Sequence, residues 1–185
     1  MQKKMVFLTA GSLIYRKGHA FLLDAVDGIP GNYDFECRFI GKGPDYAKIE
    51  KRIEALSIPS RVKLLGPVPF LEMPGEYDKA DVFIMPSIRE TTGNVLLEAI
   101  ASGKPVITIG RFGGATFLDD SCAWLYDGNT HEEFIANLQK AIIECIENPE
   151  LVIEKGINAR NRAKELAWNR KVEKINAAYS SLLRT

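Results

Sequence analysis

Two glutamates, Glu90 and Glu98, stand eight residues apart in the middle of the chain, on either side of a short polar loop. Gly93 and Asn94 lie between them at the predicted start of a helix, where the first backbone N–H groups lack partners within the helix and favour an anion. Carboxylates accept hydrogen bonds from hydroxyl groups. This combination suits a ligand that has both a phosphate and a sugar part, such as a nucleotide sugar.

The same residues also fit an ordinary solvent-exposed helix face. Thr91, Asn94, Glu98 and Ser102 follow one another at helical spacing, and most positions between them are apolar. Half-polar helices are common in globular proteins, and Thr91 or Thr92 would serve as an N-cap. Spacing alone leaves this plainer interpretation open, so the choice between a ligand site and a solvent-exposed face depends on the surrounding elements.

Short apolar strand patterns alternate with helical patterns along the chain, and these elements position the central segment. The predicted strands cover Met5–Ala10, Phe35–Ile40, 61–65, 81–85, Val106–Ile109 and 122–126. The predicted helices cover 18–26, 45–56, 71–79, the segment after Gly93, 130–146, 149–166 and 169–183. Strand–helix alternation with short loops predicts one α/β domain over residues 1–185, a doubly wound, Rossmann-like parallel sheet of about six strands with helices on both faces.

The composition is that of a globular protein without a nucleic-acid or membrane signal. The 24 basic and 24 acidic residues balance, so net charge gives no attraction to nucleic acid or anionic lipid. No apolar run approaches the ~20 residues of a spanning helix. The three cysteines, Cys37, Cys122 and Cys145, lack Cys-x-x-Cys spacing, which predicts reduced core thiols in a cytoplasmic protein. The basic residues from Lys155 to Lys174 are mixed with Glu154, Glu165 and Glu173, as is typical of a solvated helix face.

In a doubly wound sheet the ligand lies outside the carboxyl ends of the strands. Four predicted loops begin there, at Gly11, Gly41, Pro86 and Gly110. Lys17, in the first of these loops, is therefore a candidate phosphate ligand. The Gly-x-Gly at 41–43 follows the second strand and lacks a third glycine, so it is not a dinucleotide fingerprint, and a simple tight turn stays open there.

The segment from Pro86 to Val106 resembles a known family signature. It begins with Pro-Ser-x-x-Glu, ends with Gly-x-Pro-Val and carries a Glu-x7-Glu motif, as in the retaining glycosyltransferases of the GT-B fold that include sucrose and mannosyl transferases. The resemblance implies that Glu90 contacts the hydroxyls of the transferred sugar and that Glu98 holds the nucleotide ribose. It also implies that backbone amides contact the diphosphate, and the residues that match this loop are Thr91, Thr92, Gly93 and Asn94.

Further motifs follow in the family's order. The loops after the first, second, third and fifth predicted strands resemble the family's diphosphate loop, the turn near the base, the strand end that brackets the base, and the glycine pair of the sugar pocket. The resemblance assigns to the donor site Gly11, Ser12, Lys17, Gly41, Gly43, Leu65, Val68, Gly113 and Gly114.

Two positions depart from the family pattern. Ser12 stands where the family usually has a phosphate-binding arginine, a charge-assisted contact worth about 1.5–3 kcal/mol, and Arg16 or Arg111 is the candidate replacement. Phe117 falls where many relatives carry a glutamate after the glycine pair.

The resemblance implies the C-terminal, donor-binding half of a retaining glycosyltransferase that needs no metal or cofactor. The donor is expected to be a UDP-sugar or a GDP-sugar. Lys17 and Glu90 are the implied catalytic residues: Lys17 stabilises the leaving diphosphate, and Glu90 orients the sugar. Only a few residues precede the first predicted strand, so we expect an excised domain that lacks its N-terminal acceptor domain. The excised domain is expected to bind the donor and to transfer little by itself.

Other functions stay open at this point. A nucleotide-sugar 2-epimerase shares the two-domain fold, and a non-catalytic nucleotide-binding regulatory module would use the same loops. A dehydrogenase is the weakest alternative, because no glycine fingerprint follows the first strand. Peripheral membrane attachment of the full-length enzyme also stays open.

Overall fold

The computed structural model describes residues 4–90, 93–111 and 113–182. The strands of this part of the chain are β1 (Met5–Ala10), β2 (Phe35–Ile40), β3 (Val62–Gly66), β4 (Val82–Met85), β5 (Val106–Ile109) and β6 (Ala123–Tyr126). The α-helices are α1 (His19–Asp27), α2 (Tyr46–Glu54), α3 (Met73–Asp78), α4 (Asn94–Ala101), α5 (His131–Glu147), α6 (Pro149–Glu165) and α7 (Trp168–Leu182). Short 3₁₀ turns cover Tyr15–Lys17, Pro59–Arg61, Phe70–Glu72 and Gly113–Thr116.

The strands form one parallel sheet in the order β3-β2-β1-β4-β5-β6. The chain winds outward from β1 through β2 to β3 and then returns to place β4 on the other side of β1. The doubly wound prediction is therefore confirmed. The topological switch point lies between β1 and β4, and the crevice at their carboxyl ends is where such sheets bind ligands.

Apolar residues fill both faces of the sheet, as a parallel sheet between two helix layers requires. In β1, Phe7 belongs to the cluster under α1 and α5, whereas the next residue, Leu8, belongs to the cluster under α3, α4 and α6. Both side chains are fully buried. This two-sided burial explains why β1 begins, and β4 appears throughout, as a continuous apolar run in the sequence.

The three cysteines are free thiols inside the core, as predicted. Burial raises the pKa of Cys37 and of Cys145 well above the usual range of a thiol, which keeps both protonated and unreactive. Among the described residues, no helix has the length and apolar content needed to cross a bilayer.

The segment before α3 differs from its prediction, which placed one broken helix over 71–79. The structure has a 3₁₀ turn, Phe70–Glu72, followed by α3, whose second residue is Pro74. Proline is tolerated in the first turn of a helix because its missing N–H would have no partner there. The other boundaries agree with prediction to within one or two residues, and position 183 of the predicted last helix lies outside the described residues.

Candidate functional site

The loops after β1, β2 and β3 lie side by side at the carboxyl edge of the sheet. The Gly11 N–H donates to the carbonyl of Ile40 over 3.0 Å, and the Gly41 N–H donates to the carbonyl of Gly66 over 2.9 Å. A Cβ atom at Gly41 would lie 1.8 Å from the Gly11 oxygen, and φ at Gly41 is +150°. Only glycine therefore lets these two loops approach so closely.

The loops after β1 and β4 meet across the switch point. Gly18 ends the 3₁₀ turn with φ +73°, and a Cβ atom there would lie 1.9 Å from the carbonyl oxygen of Pro86. The Ile88 N–H donates to the Arg16 carbonyl over 3.0 Å. Because Lys17 lies between Arg16 and Gly18, these contacts place it beside the loop that contains Glu90.

Lys17 and Glu90 form an ion pair through Nζ and Oε2. Their side chains are only 18% and 10% exposed, so solvent screens the pair incompletely. A Cβ atom at Gly11 would lie 4.0 Å from Cε of Lys17, and one at Gly113 would lie 3.4 Å from Cγ of Glu90. The loops after β1, β4 and β5 thus converge on this pair. The two residues predicted to be catalytic are brought together.

Glu98, on α4, is oriented by a buried tyrosine. The Tyr77 hydroxyl donates to Glu98 Oε2 over 3.0 Å. Burial, with the neighbouring carboxylate as a second cause, raises the pKa of Tyr77 above its usual range, so the phenol stays protonated and remains a donor. This contact could not be predicted from the sequence, because the two residues are 21 positions apart and lie on different helices.

A cavity of about 320 Å³ opens beside Glu98. Its lining residues are Ala10, Gly11, Ser12, Ile40, Gly41, Lys42, Pro67, Val68, Phe70, Met73, Val95 and Glu98. The carboxylate of Glu98 provides hydrogen-bond acceptors, and the glycines provide bare backbone. Most of the remaining lining is apolar. The cavity can therefore accept a ligand that joins hydroxyl groups to an apolar ring.

Several predicted site residues lie outside this cavity. Leu65, on β3, is 41% exposed. Gly43 packs against the Leu13 backbone, where a Cβ atom would lie 2.3 Å from the carbonyl oxygen, so its observed role is loop packing. Gly114 lies in the 3₁₀ turn Gly113–Thr116. The predicted residues Thr91 and Thr92 lie outside the described residues.

The amino end of α4 points toward the same edge of the sheet. Gly93 is its N-cap with φ +63°, and no side chain of the described residues caps this end. Asn94, the first helical residue, is exposed. An uncapped helix start presents its first N–H groups and the positive end of the helix dipole. This end of the helix is suited to an anion.

Of the two arginines considered as replacements at Ser12, Arg111 is engaged elsewhere. It forms an ion pair with Asp127 and donates to Asn129 Oδ1 over 2.9 Å, at the end of β6. Arg16 has an exposed side chain in the loop that carries Lys17. Arg16 directly precedes Lys17 in the chain, so it is the arginine that stays a candidate replacement.

His19 follows this loop and is a core residue. Its side chain is 4% exposed, and its ring centroid lies 5.8 Å from that of Phe39. Burial, followed by the charge of Lys17, lowers the pKa of His19 from 6.5 to about 4. The imidazole is therefore neutral at pH 7 and adds no positive charge to the site.

The family model for Glycosyl transferases group 1 matches residues 1–166. The chain therefore belongs to the group 1 glycosyl transferases. It is 32% identical over 176 residues to an uncharacterized glycosyltransferase of Methanocaldococcus jannaschii, a match that covers 95% of this chain and 48% of that protein. The chain spans less than half the length of this and the other curated relatives it matches.

Two solved structures show the fold of this family member. The C-terminal domain of a group 1 family protein from Francisella tularensis matches with a TM-score of 0.75 and 19% identity, over 86% of this chain and 84% of that one. Anabaena HepE in complex with UDP matches with a TM-score of 0.77 and 23% identity, over 96% of this chain and 49% of that one. The fold is that of a C-terminal GT-B domain, as predicted.

Proposed function

We propose that this chain is the donor-binding domain of a retaining, metal-independent glycosyltransferase and that it binds a UDP-sugar or a GDP-sugar. One observation carries the proposal: the Lys17–Glu90 ion pair lies at the switch point, and the loop after β1 also lines the cavity that contains Glu98. Membership of the group 1 family and the fold shared with UDP-bound Anabaena HepE support it.

The donor's parts are assigned by chemistry. The carboxylate of Glu98, oriented by Tyr77, accepts hydrogen bonds from the ribose hydroxyls. The base enters the apolar part of the cavity near Val68. We place the diphosphate at the start of α4, against the amides of Gly93 and Asn94 and those predicted at Thr91 and Thr92.

Lys17 and Glu90 divide the work of the transfer step. As the sugar–phosphate bond breaks, negative charge develops on the leaving diphosphate, and the Lys17 ammonium stabilises it together with the α4 amides. Lys17 exchanges Glu90 for a phosphate oxygen, and the Glu90 carboxylate then accepts a hydrogen bond from a hydroxyl of the donor sugar. Gly113, where a Cβ atom would lie 3.4 Å from Cγ of Glu90, leaves room for that sugar, and the same role is predicted for Gly114. The lysine and the helix dipole supply the positive charge that this account requires, without a metal.

Transfer also requires an acceptor. We propose that the complete protein has a second, acceptor-binding domain, because the curated relatives are more than twice as long as the matched region. The isolated chain then binds the donor and transfers little.

A thermal-shift panel of UDP, GDP, ADP, NAD and inorganic phosphate tests the binding claim. A nucleotide at ~100 times its Kd stabilises a one-site protein by about 2.7 kcal/mol, which raises Tm by several degrees. We expect a shift with UDP or GDP that Glu98→Ala abolishes. The exposed Glu54, on α2, provides the matched control, and Glu54→Ala should retain the shift. No shift with either nucleotide, or the same shift in Glu98→Ala, would contradict the proposal.

A further inference from the structure

Phe70 is a large apolar side chain that lines the cavity and is still 75% exposed. Single exposed apolar residues are common and need no explanation. Phe70 differs from its neighbour Leu71, which is 88% exposed but does not line the cavity. The aromatic ring is therefore placed at the rim of a binding cavity, whereas the adjacent aliphatic side chain is not.

The segment that presents Phe70 is stiff. Pro67 and Pro69 restrict the backbone just before it, with φ −57° at Pro69. The Glu72 N–H closes the 3₁₀ turn by donating to the Pro69 carbonyl over 2.9 Å. Met73, 8% exposed, anchors the turn in the core. A phenylalanine on such a turn has only two side-chain torsions to fix, so ordering its ring against a ligand costs little entropy.

The cavity lining combines two kinds of chemistry. Glu98 supplies acceptors for hydroxyl groups, while Phe70, Val68 and Met73 supply apolar surface. Gly41, which must be a glycine because of its contact with the Gly11 carbonyl, lines the cavity with backbone alone. A nucleoside matches this arrangement, because it joins a flat aromatic base to a hydroxylated sugar.

We propose that the Phe70 ring stacks on the base of the bound nucleotide; this rests on the proposed function, since it places a nucleoside diphosphate in the same cavity. Every nucleobase has an aromatic face, so stacking supplies affinity and does not choose the base. Removal of the ring should therefore weaken UDP and GDP binding alike.

Calorimetric titration of the isolated chain tests the stacking. The probes are whichever of UDP and GDP binds more tightly, and ribose 5-diphosphate, which keeps the sugar and both phosphates but lacks the base. Phe70→Ala should weaken nucleotide binding about 10-fold, within the range of base–aromatic stacking, and leave the affinity for ribose 5-diphosphate unchanged. Phe70→Tyr should restore the affinity, and Leu71→Ala is the matched exposed control that should change neither ligand.

Three outcomes overturn the stacking. If Phe70→Ala binds the nucleotide like the original chain while Glu98→Ala does not, the stacking is wrong and the donor site stands. If Phe70→Ala loses the same factor in affinity for the nucleotide and for ribose 5-diphosphate, the ring supports the loop and does not contact the base. If the unsubstituted chain binds neither UDP nor GDP, both the proposed function and the stacking are wrong.

Discussion

At the scale of single residues, the site depends on two carboxylates that have different partners. Glu90 pairs with Lys17, and Glu98 accepts from the Tyr77 hydroxyl. The first partner is a cation that can exchange the glutamate for a phosphate oxygen. The second is a neutral phenol that fixes the carboxylate and leaves its charge unpaired by that contact. This difference fits the assignment of Glu90 to the reacting end of the donor and Glu98 to the ribose.

Tyr77→Phe tests the orienting role of the phenol. The variant keeps the ring and removes the donor to Glu98, a bond to a charged group worth about 1.5–3 kcal/mol. We expect lower unfolding free energy and several-fold weaker UDP or GDP binding, measured by denaturant unfolding and by calorimetry. Tyr33 offers a matched control, because its hydroxyl also donates to a glutamate, Glu147, over 2.6 Å but away from the cavity. If both variants lose nucleotide affinity equally, or if neither loses it, the orienting role of Tyr77 is contradicted.

At the scale of secondary-structure elements, the loops are held together by glycines at close approaches. Gly18 is the clearest example, because it combines a positive φ with backbone contact to Pro86. That contact joins the loop after β1 to the loop after β4. The geometry of Lys17 relative to Glu90 therefore depends on a residue that has no side chain and takes no part in the chemistry.

Gly18→Ala should destabilise the domain by about 2 kcal/mol or more, because a Cβ atom would clash with Pro86 and φ +73° strains alanine. Nucleotide affinity should fall with it, since the clash separates the two loops. Gly75, on α3, is the control: a Cβ atom there would meet nothing within 4 Å, so Gly75→Ala should be neutral or slightly stabilising. Thermal unfolding measures both variants. Equal stability of the two would contradict the close packing at Gly18.

The elements also show which features the sequence could reveal. Strands such as β1 were predictable, because two-sided burial produces an uninterrupted apolar run. Lys155 was not: it was assigned to a solvated helix face, yet it is 8% exposed, donates to the Ala123 carbonyl over 3.1 Å and lies 4.8 Å from the Trp124 ring. It covers the edge strand β6, a contact that only the packing of α6 creates. The Tyr77–Glu98 bond was hidden for the same reason.

At the scale of the whole molecule, the topology accounts for the site. The order β3-β2-β1-β4-β5-β6 brings the loops that bear Lys17, Glu90 and Gly113 to one edge, although they are distant in sequence. The family and the fold could be predicted from short motifs in order, and both are confirmed. The rim residue Phe70 could not be predicted, because nothing in the sequence shows which exposed side chain faces a cavity.

A crystal structure of this chain with UDP would show whether the nucleotide binds at this edge of the sheet, between Lys17 and Glu98. We expect a phosphate oxygen within about 3.2 Å of Lys17 Nζ, in place of Glu90, and ribose hydroxyls on the Glu98 carboxylate. The diphosphate should lie at the amino end of α4. UDP bound away from this edge of the sheet, or at this edge with Lys17 still paired to Glu90 and no ribose contact to Glu98, would contradict the account.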